Sequence, residues 1–144
     1  MKNKPFIFTL SVILIIVLIS SCDYYNHKLK VHNKSKEIIT VEYADRELPE
    51  MNNVGYTIAG YKAIMPDSTK DIVISGRDDA WHDYIDRGPS KKLFVYIFSV
   101  KEISQHQDNV IADVIRDGKY LKRFEYTEQE LISRNWVIDY EGEK

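Results

Sequence analysis

The side chains most densely equipped for chemistry lie between Ser75 and Asp86, in the run Ser-Gly-Arg-Asp-Asp-Ala-Trp-His-Asp-Tyr-Ile-Asp. Asp78, His82 and Asp86 are spaced four apart, so on a helix they would share one face and could offer two carboxylates and an imidazole to a divalent cation. As a metal motif the set is incomplete. No second histidine lies nearby for zinc, and a calcium loop needs oxygens at alternating positions around a glycine turn. A capped, solvated helix is the simpler reading. Ser75, Asp78 and His82 include the residue types of a nucleophilic triad, but no Gly-x-Ser-x-Gly elbow surrounds the serine. His27, His32 and His106 fall one to a segment, with no His-Glu-x-x-His pair. The expectation is a protein that is not an enzyme and that uses no cofactor or metal.

A second reactive group is better placed. Cys22 is the single cysteine of the 144 residues, and it follows Ile19-Ser20-Ser21. Lys2 and Lys4 precede an apolar run from Phe6 to Ile19. At about 14 residues that run is short of the ~20 needed to cross a bilayer core, and it has the build of a secretory leader. Ile19-Ser20-Ser21-Cys22 resembles the bacterial lipobox, in which cleavage before the cysteine precedes acylation of its sulfur and then of its nitrogen. Two or more acyl chains give stable attachment, each buried methylene contributing about 0.8 kcal/mol. Lipidation of Cys22 would also leave no thiol for a disulfide, so stability has to come from a packed core.

Removing residues 1–21 leaves 123, enough for one domain. Lys2 and Lys4 leave with the leader, so 18 basic residues face 22 acidic ones, a formal charge of −4. A mildly acidic chain with no basic cluster argues against nucleic acid as a partner. Ten tyrosines and five phenylalanines against two tryptophans suit sheet structure.

The elements that must position these groups are mostly strands. Residues 22–28 read as a polar tether, and 29–141 as one domain. Leu29 and Val31 alternate with polar neighbours, as do Ile39, Val41 and Tyr43, so the spacing predicts two strands paired as a hairpin across Asn33-Lys34-Ser35-Lys36. Tyr56–Ile64 is β-prone, with Gly60 marking an edge or a bulge. Pro66-Asp67-Ser68 is a turn into a strand over 70–75. A short helix follows over 80–86, capped by Asp78 or Asp79 and stopped at Arg87-Gly88-Pro89-Ser90. Leu93–Val100 is apolar on both faces and predicts a central strand covered on both sides.

Val110, Ile111, Val114 and Ile115 fit a short helix ended by Gly118, although Asp117-Gly118 would also suit a hairpin turn. Residues 119–126 predict a strand. Thr127 and Glu130 form a capping box for a helix burying Leu131 and Ile132, and Trp136–Tyr140 closes the domain as a strand. Seven strands, with helical turns only in loops, point to an immunoglobulin-like or transthyretin-like β-sandwich. A single sheet packed by helices is the alternative.

The C-terminal half carries a resemblance. Trp81 after an acidic pair, Leu93-Phe94-Val95-Tyr96-Ile97-Phe98, Leu121-Lys122-Arg123-Phe124 and Asn135-Trp136-Val137-Ile138-Asp139-Tyr140 occur in that order. Over most of residues 29–140 the chain resembles small uncharacterised lipoproteins of Bacteroides-like bacteria, though it lacks a proline soon after Tyr140. The resemblance implies lipidation and a β-rich domain, and transfers no activity.

In such bacteria Asp67-Ser68-Thr69 would match a short O-glycosylation pattern, with Ser68 as acceptor. The expected location is the cell envelope, at the outer membrane, on its periplasmic face or at the cell surface. The expected partners are the membrane, through Cys22, and another envelope protein. Glycan is the alternative partner, because Tyr24, Tyr25, Tyr43, Tyr56, Tyr61 and Tyr84 lie outside the strongest core strands and could stack on sugar rings. Trp81 and Trp136 read as core anchors.

Overall fold

A computed structural model describes residues 24–48, 63–104 and 111–142. The leader, Cys22, most of the segment expected as a strand over Tyr56–Ile64, and His106 lie outside the described residues. Six strands and four short helices occur among the described residues, so the fold is mainly β. In chain order they are β1 (Tyr25–Asn33), β2 (Ile39–Ala44), β3 (Ser68–Ser75), α1 (Ala80–Arg87), β4 (Leu93–Ser99), α2 (Val100–Ile103), α3 (Ile111–Arg116), β5 (Lys122–Tyr126), α4 (Glu128–Ser133) and β6 (Val137–Tyr140).

The strands form two three-stranded sheets, ordered β3-β1-β6 and β2-β4-β5. β4 is central, as its sequence requires, and all seven of its residues are buried. Its alternate side chains serve two different cores. Leu93, Val95 and Ile97 join Ile39 and Val41 of β2, and they meet Leu29 and Val31 of β1 and Ile138 and Tyr140 of β6 in one cluster. Phe94, Tyr96 and Phe98 point the other way, onto Ile103 of α2 and Val114 and Ile115 of α3. Helices therefore cover one face of the β4 sheet, where helical turns confined to loops were expected. The reason is local: three aromatic rings on one strand face need an apolar cover, and the other sheet lies on the opposite side.

The expected hairpin does not form. β1 pairs with β3 antiparallel and with β6 in parallel, while β2 pairs with β4 in the other sheet. Alternation showed that both segments were strands; it carries no information about which strand lies beside which. The turn region holds its own bonds instead. Asn33 is fully buried, its Nδ2 donating to the carbonyls of Glu37 (2.7 Å) and Ile64 (3.0 Å). Ile64 makes an isolated bridge to Ile39, next to β2.

β1 also begins earlier than the alternation suggested, taking in Tyr25–Lys28, which had read as tether. Its pairing with β3 slips between Asn26 and Leu29: three steps on β1 match two on β3, which is a β-bulge. The bulge resets the inward phase so that Asn26, Leu29, Val31 and Asn33 are buried while His27 and Lys28 both face out. A strict period of two cannot detect a strand across such a break.

At the C-terminal end the capping box is present, with Thr127 accepting from the Glu130 N–H and Glu130 accepting from the Thr127 N–H. Leu131 is fully buried, but Ile132, expected inside, is 46% exposed because a six-residue helix turns only a narrow face inward. β5 starts at Lys122 rather than Lys119, since Lys119 still bonds back to Val114 at the end of α3. Gly118 follows α3 with φ +69°, the left-handed conformation that suits glycine at a helix end.

Replacing Phe98, which is 1% exposed, by alanine should cost about 3–5 kcal/mol. That is a large share of the ~5–15 kcal/mol typical of a domain. Urea titration should show a much lower midpoint with an unchanged slope, while Ile132→Ala should stay within about 0.5 kcal/mol of wild type. Equal effects of the two substitutions would contradict the packing described.

Candidate functional site

The chemistry-bearing stretch folds as a loop and a helix against the end of the β1–β3 pair. Asn26 sets this up. It is buried in the first rungs of β1, where its Oδ1 accepts the bulge N–H of Lys28 (3.0 Å) and its Nδ2 donates to the carbonyls of Arg77 and Asp78 (both 2.9 Å). One amide thus holds the bulge and pins the loop that opens α1. Sequence reasoning passed over it. Residues 22–28 read as a polar tether, where an asparagine carries no signal; only the strand start at Tyr25 makes it stand out.

α1 then lies with Trp81 and Ile85 buried. Asp79 occupies the N-cap position but makes no side-chain cap bond. Its backbone is helical there (φ −91°, ψ −1°), whereas a capping side chain needs the extended form, so the expected Asp78 or Asp79 cap is corrected. The helix stops at Gly88, where a Cβ would collide with the Asp45 carbonyl oxygen. The absence of a side chain at Gly88 lets the helix end press on the segment after β2.

Between α1, β2 and the end of β3 opens a cleft of about 610 Å³. Asp79 from the N-cap position and Asp83 and Arg87 from α1 line it at helical spacing, with Tyr84 beside them, Tyr43 from β2 and Arg77 from the loop. Tyr43 and Tyr84 are not free platforms. Each meets Trp81 edge to face, with ring centroids 4.9 and 6.1 Å away, and they contact one another at 5.3 Å. Their partly exposed surfaces form the aromatic part of the wall.

The Arg87 guanidinium lies 4.5 Å over the Tyr84 ring, and its Nε is 3.9 Å from Asp45. Burial, with the Asp45 charge as a second cause, pushes the Tyr84 phenol well above the usual tyrosine range. Tyr84 is therefore a neutral hydrogen-bonding group at any ordinary pH. Trp81 is fully buried, and its Nε1 has no hydrogen-bond partner among the described residues. Trp81 and Trp136, 6.5 Å apart, both belong to the main core, where they were expected as anchors.

The three spaced groups do not converge. His82 directs Nδ1 to Glu128 at the start of α4 (2.7 Å), Asp86 pairs with Lys91 (3.1 Å), and Asp78 lies in the loop ahead of α1. Among the described residues no three histidine, cysteine, aspartate or glutamate side chains gather closely enough to hold a metal ion. Ser68, expected in a turn, is the first residue of β3, opposite Asn33, and its hydroxyl donates to the Met65 carbonyl (2.6 Å). Tyr24 and Tyr25 are exposed, at 64% and 50%.

Compared with protein-family models, with curated proteins and with solved structures, the chain matches none.

The Glu128 carboxylate raises the His82 pKa above the ordinary imidazole value. The protonated pair ties α1 to α4. Because the folded pKa is the higher one, this contribution is complete below the unfolded imidazole value near 6.5 and is lost as pH rises through the folded one. The pair is exposed, so the effect is screened by salt. Proton NMR of the imidazole should give a midpoint above that of a free histidine, and Glu128→Gln should return it toward the free value; an unmoved midpoint would rule out the contact.

Proposed function

We propose that the protein is a lipid-anchored lipoprotein of the bacterial cell envelope, at the outer membrane, acting as a non-enzymatic binding module toward another envelope protein. The observation that carries the anchor is Cys22, the single cysteine, at the end of a short apolar leader and three residues before β1. Among the described residues no helix is long and apolar enough to cross a membrane. Attachment on this reading is by acyl chains, and the resemblance to small Bacteroides-like lipoproteins agrees with it.

The fold on this reading is an immunoglobulin-like or transthyretin-like sandwich of seven strands. One core shared by both sheets and the Ile64–Ile39 bridge beside β2 support it. The non-enzymatic reading is supported by the uses found for three shifted carboxylates. Lys30 lowers the pKa of Asp71 across the β1–β3 pair, Lys34, just past β1, lowers that of Asp139 on β6, and the Thr127 backbone lowers that of Glu130 in a helix cap. Each of these charges serves a structural contact.

A second reading, glycan binding beside a polysaccharide-uptake system, is favoured by the cleft. Tyrosine surfaces next to carboxylates and guanidinium groups provide stacking and hydrogen bonding suited to a sugar.

Intact-mass measurement of protein purified from its native host, with labelled palmitate in the medium, tests the anchor. Label and acyl mass should be present on the native chain and absent from Cys22→Ser. The same spectra should show a glycan increment on Ser68 that Ser68→Ala removes. A native chain without acyl mass would overturn the anchor. Crosslinking in intact cells should join the module to one envelope protein, and recovery of bait alone would overturn the binding role. A glycan array on which wild type and Tyr84→Ala behave alike would dispose of the second reading.

A further inference from the structure

The corrected start of β1 bears on how the domain sits. The Tyr24 carbonyl already accepts the Gly76 N–H (2.8 Å), and Tyr25 pairs with Ser75, so the sheet holds the chain from Tyr24 onward. Two Cα steps separate Tyr24 from Cys22, and chain geometry limits their Cα atoms to about 7.6 Å apart. An acyl chain on Cys22 begins in the headgroup layer, and so short a link cannot hold this end of the domain away from it.

The residues at that end suit the location. Tyr24 and Tyr25 are among the exposed large hydrophobics, they neighbour one another in the chain, and the Arg77 guanidinium stands 5.8 Å from the Tyr24 ring. Tyrosine favours the boundary between hydrocarbon and water because its ring is apolar and its hydroxyl polar, while an arginine beside it can bond phosphate. Asp78 and Asp79 follow Arg77, so this end is not basic; the rings and the short link, rather than attraction to anionic lipid, would hold it.

We propose that the end of the domain formed by Tyr24, Tyr25 and Arg77 rests in the phospholipid headgroup layer, with β1 and β3 rising from the membrane. This rests on the lipid anchor proposed above, and it specifies the surface that meets the bilayer. The turn after Asn33 and the start of β3 at Ser68 then stand about 25 Å farther out, one strand length away. The cleft, which includes Ser75, Gly76 and Arg77, opens beside the lipid surface.

The lone cysteine makes the test direct. Once Cys22 is acylated, a cysteine introduced by Tyr25→Cys, Arg77→Cys or Lys36→Cys is the single free thiol of the full lipidated chain and can carry a nitroxide. On vesicles of phosphatidylethanolamine and phosphatidylglycerol, labels at 25 and 77 should be several-fold less accessible to a water-soluble nickel chelate than the label at 36. They should be correspondingly more accessible to oxygen. Flotation of the unlabelled protein with the same vesicles reads the anchor separately. Protein that floats with equal accessibility at all three positions overturns the seating alone; protein that fails to float overturns the anchor and the seating together. Two reporting positions at the same end guard against a label that perturbs one of them.

Discussion

The double burial of β4 is the constraint from which the architecture follows. A strand whose seven residues are all buried cannot lie at a sheet edge or leave a face to water, so it takes a partner on each side and a layer over each face. β2 and β5 are the partners on its two sides. Leu93, Val95 and Ile97 bring the β3-β1-β6 sheet onto one face, and Phe94, Tyr96 and Phe98 bring α2 and α3 onto the other. The elements around β4 are short, and packing against it rather than intrinsic propensity stabilises helices of four and six residues.

A second constraint acts at the opposite edge of the core, where a buried polar group decides local geometry. Asn26 would be costly inside the fold without partners. With the Lys28 N–H and two loop carbonyls in reach it satisfies itself, fixes the bulge and sets the path from β3 into α1. The cleft wall depends on that path. Gly88 does the equivalent work at the far end of α1, where close approach to the Asp45 backbone leaves no space for a side chain.

Most elements were legible in the sequence because their signals are local. Leu93–Val100 announced a central strand and Thr127 and Glu130 a capped helix, and the structure shows both; of the two readings open at Gly118, helix end and hairpin turn, it shows the helix end. What failed was relational. The alternation of Leu29 and Val31 and that of Ile39 and Val41 look the same whether the strands pair or lie in separate sheets, and separate sheets is the outcome. The parallel β1–β6 contact joins residues more than a hundred positions apart, beyond the reach of turn chemistry. The cleft was legible only as a cluster of charged residues. Helical spacing placed Asp78, His82 and Asp86 together, but Glu128 and Lys91, from outside the helix, decide where two of those side chains go.

The parallel register of β1 and β6 has a mechanical consequence. Lys30 lies beside Val137 and Asn33 beside Tyr140, so the two strands run the same way side by side. A load applied between Tyr24 and Tyr140 would pull them past each other lengthwise. Such loading stresses several backbone hydrogen bonds at once, including Lys30 N–H to Trp136 O and Lys34 N–H to Tyr140 O, instead of opening them one by one. A domain tethered at its first strand and tugged through its last would resist as a clamp in shear rather than part like a zipper.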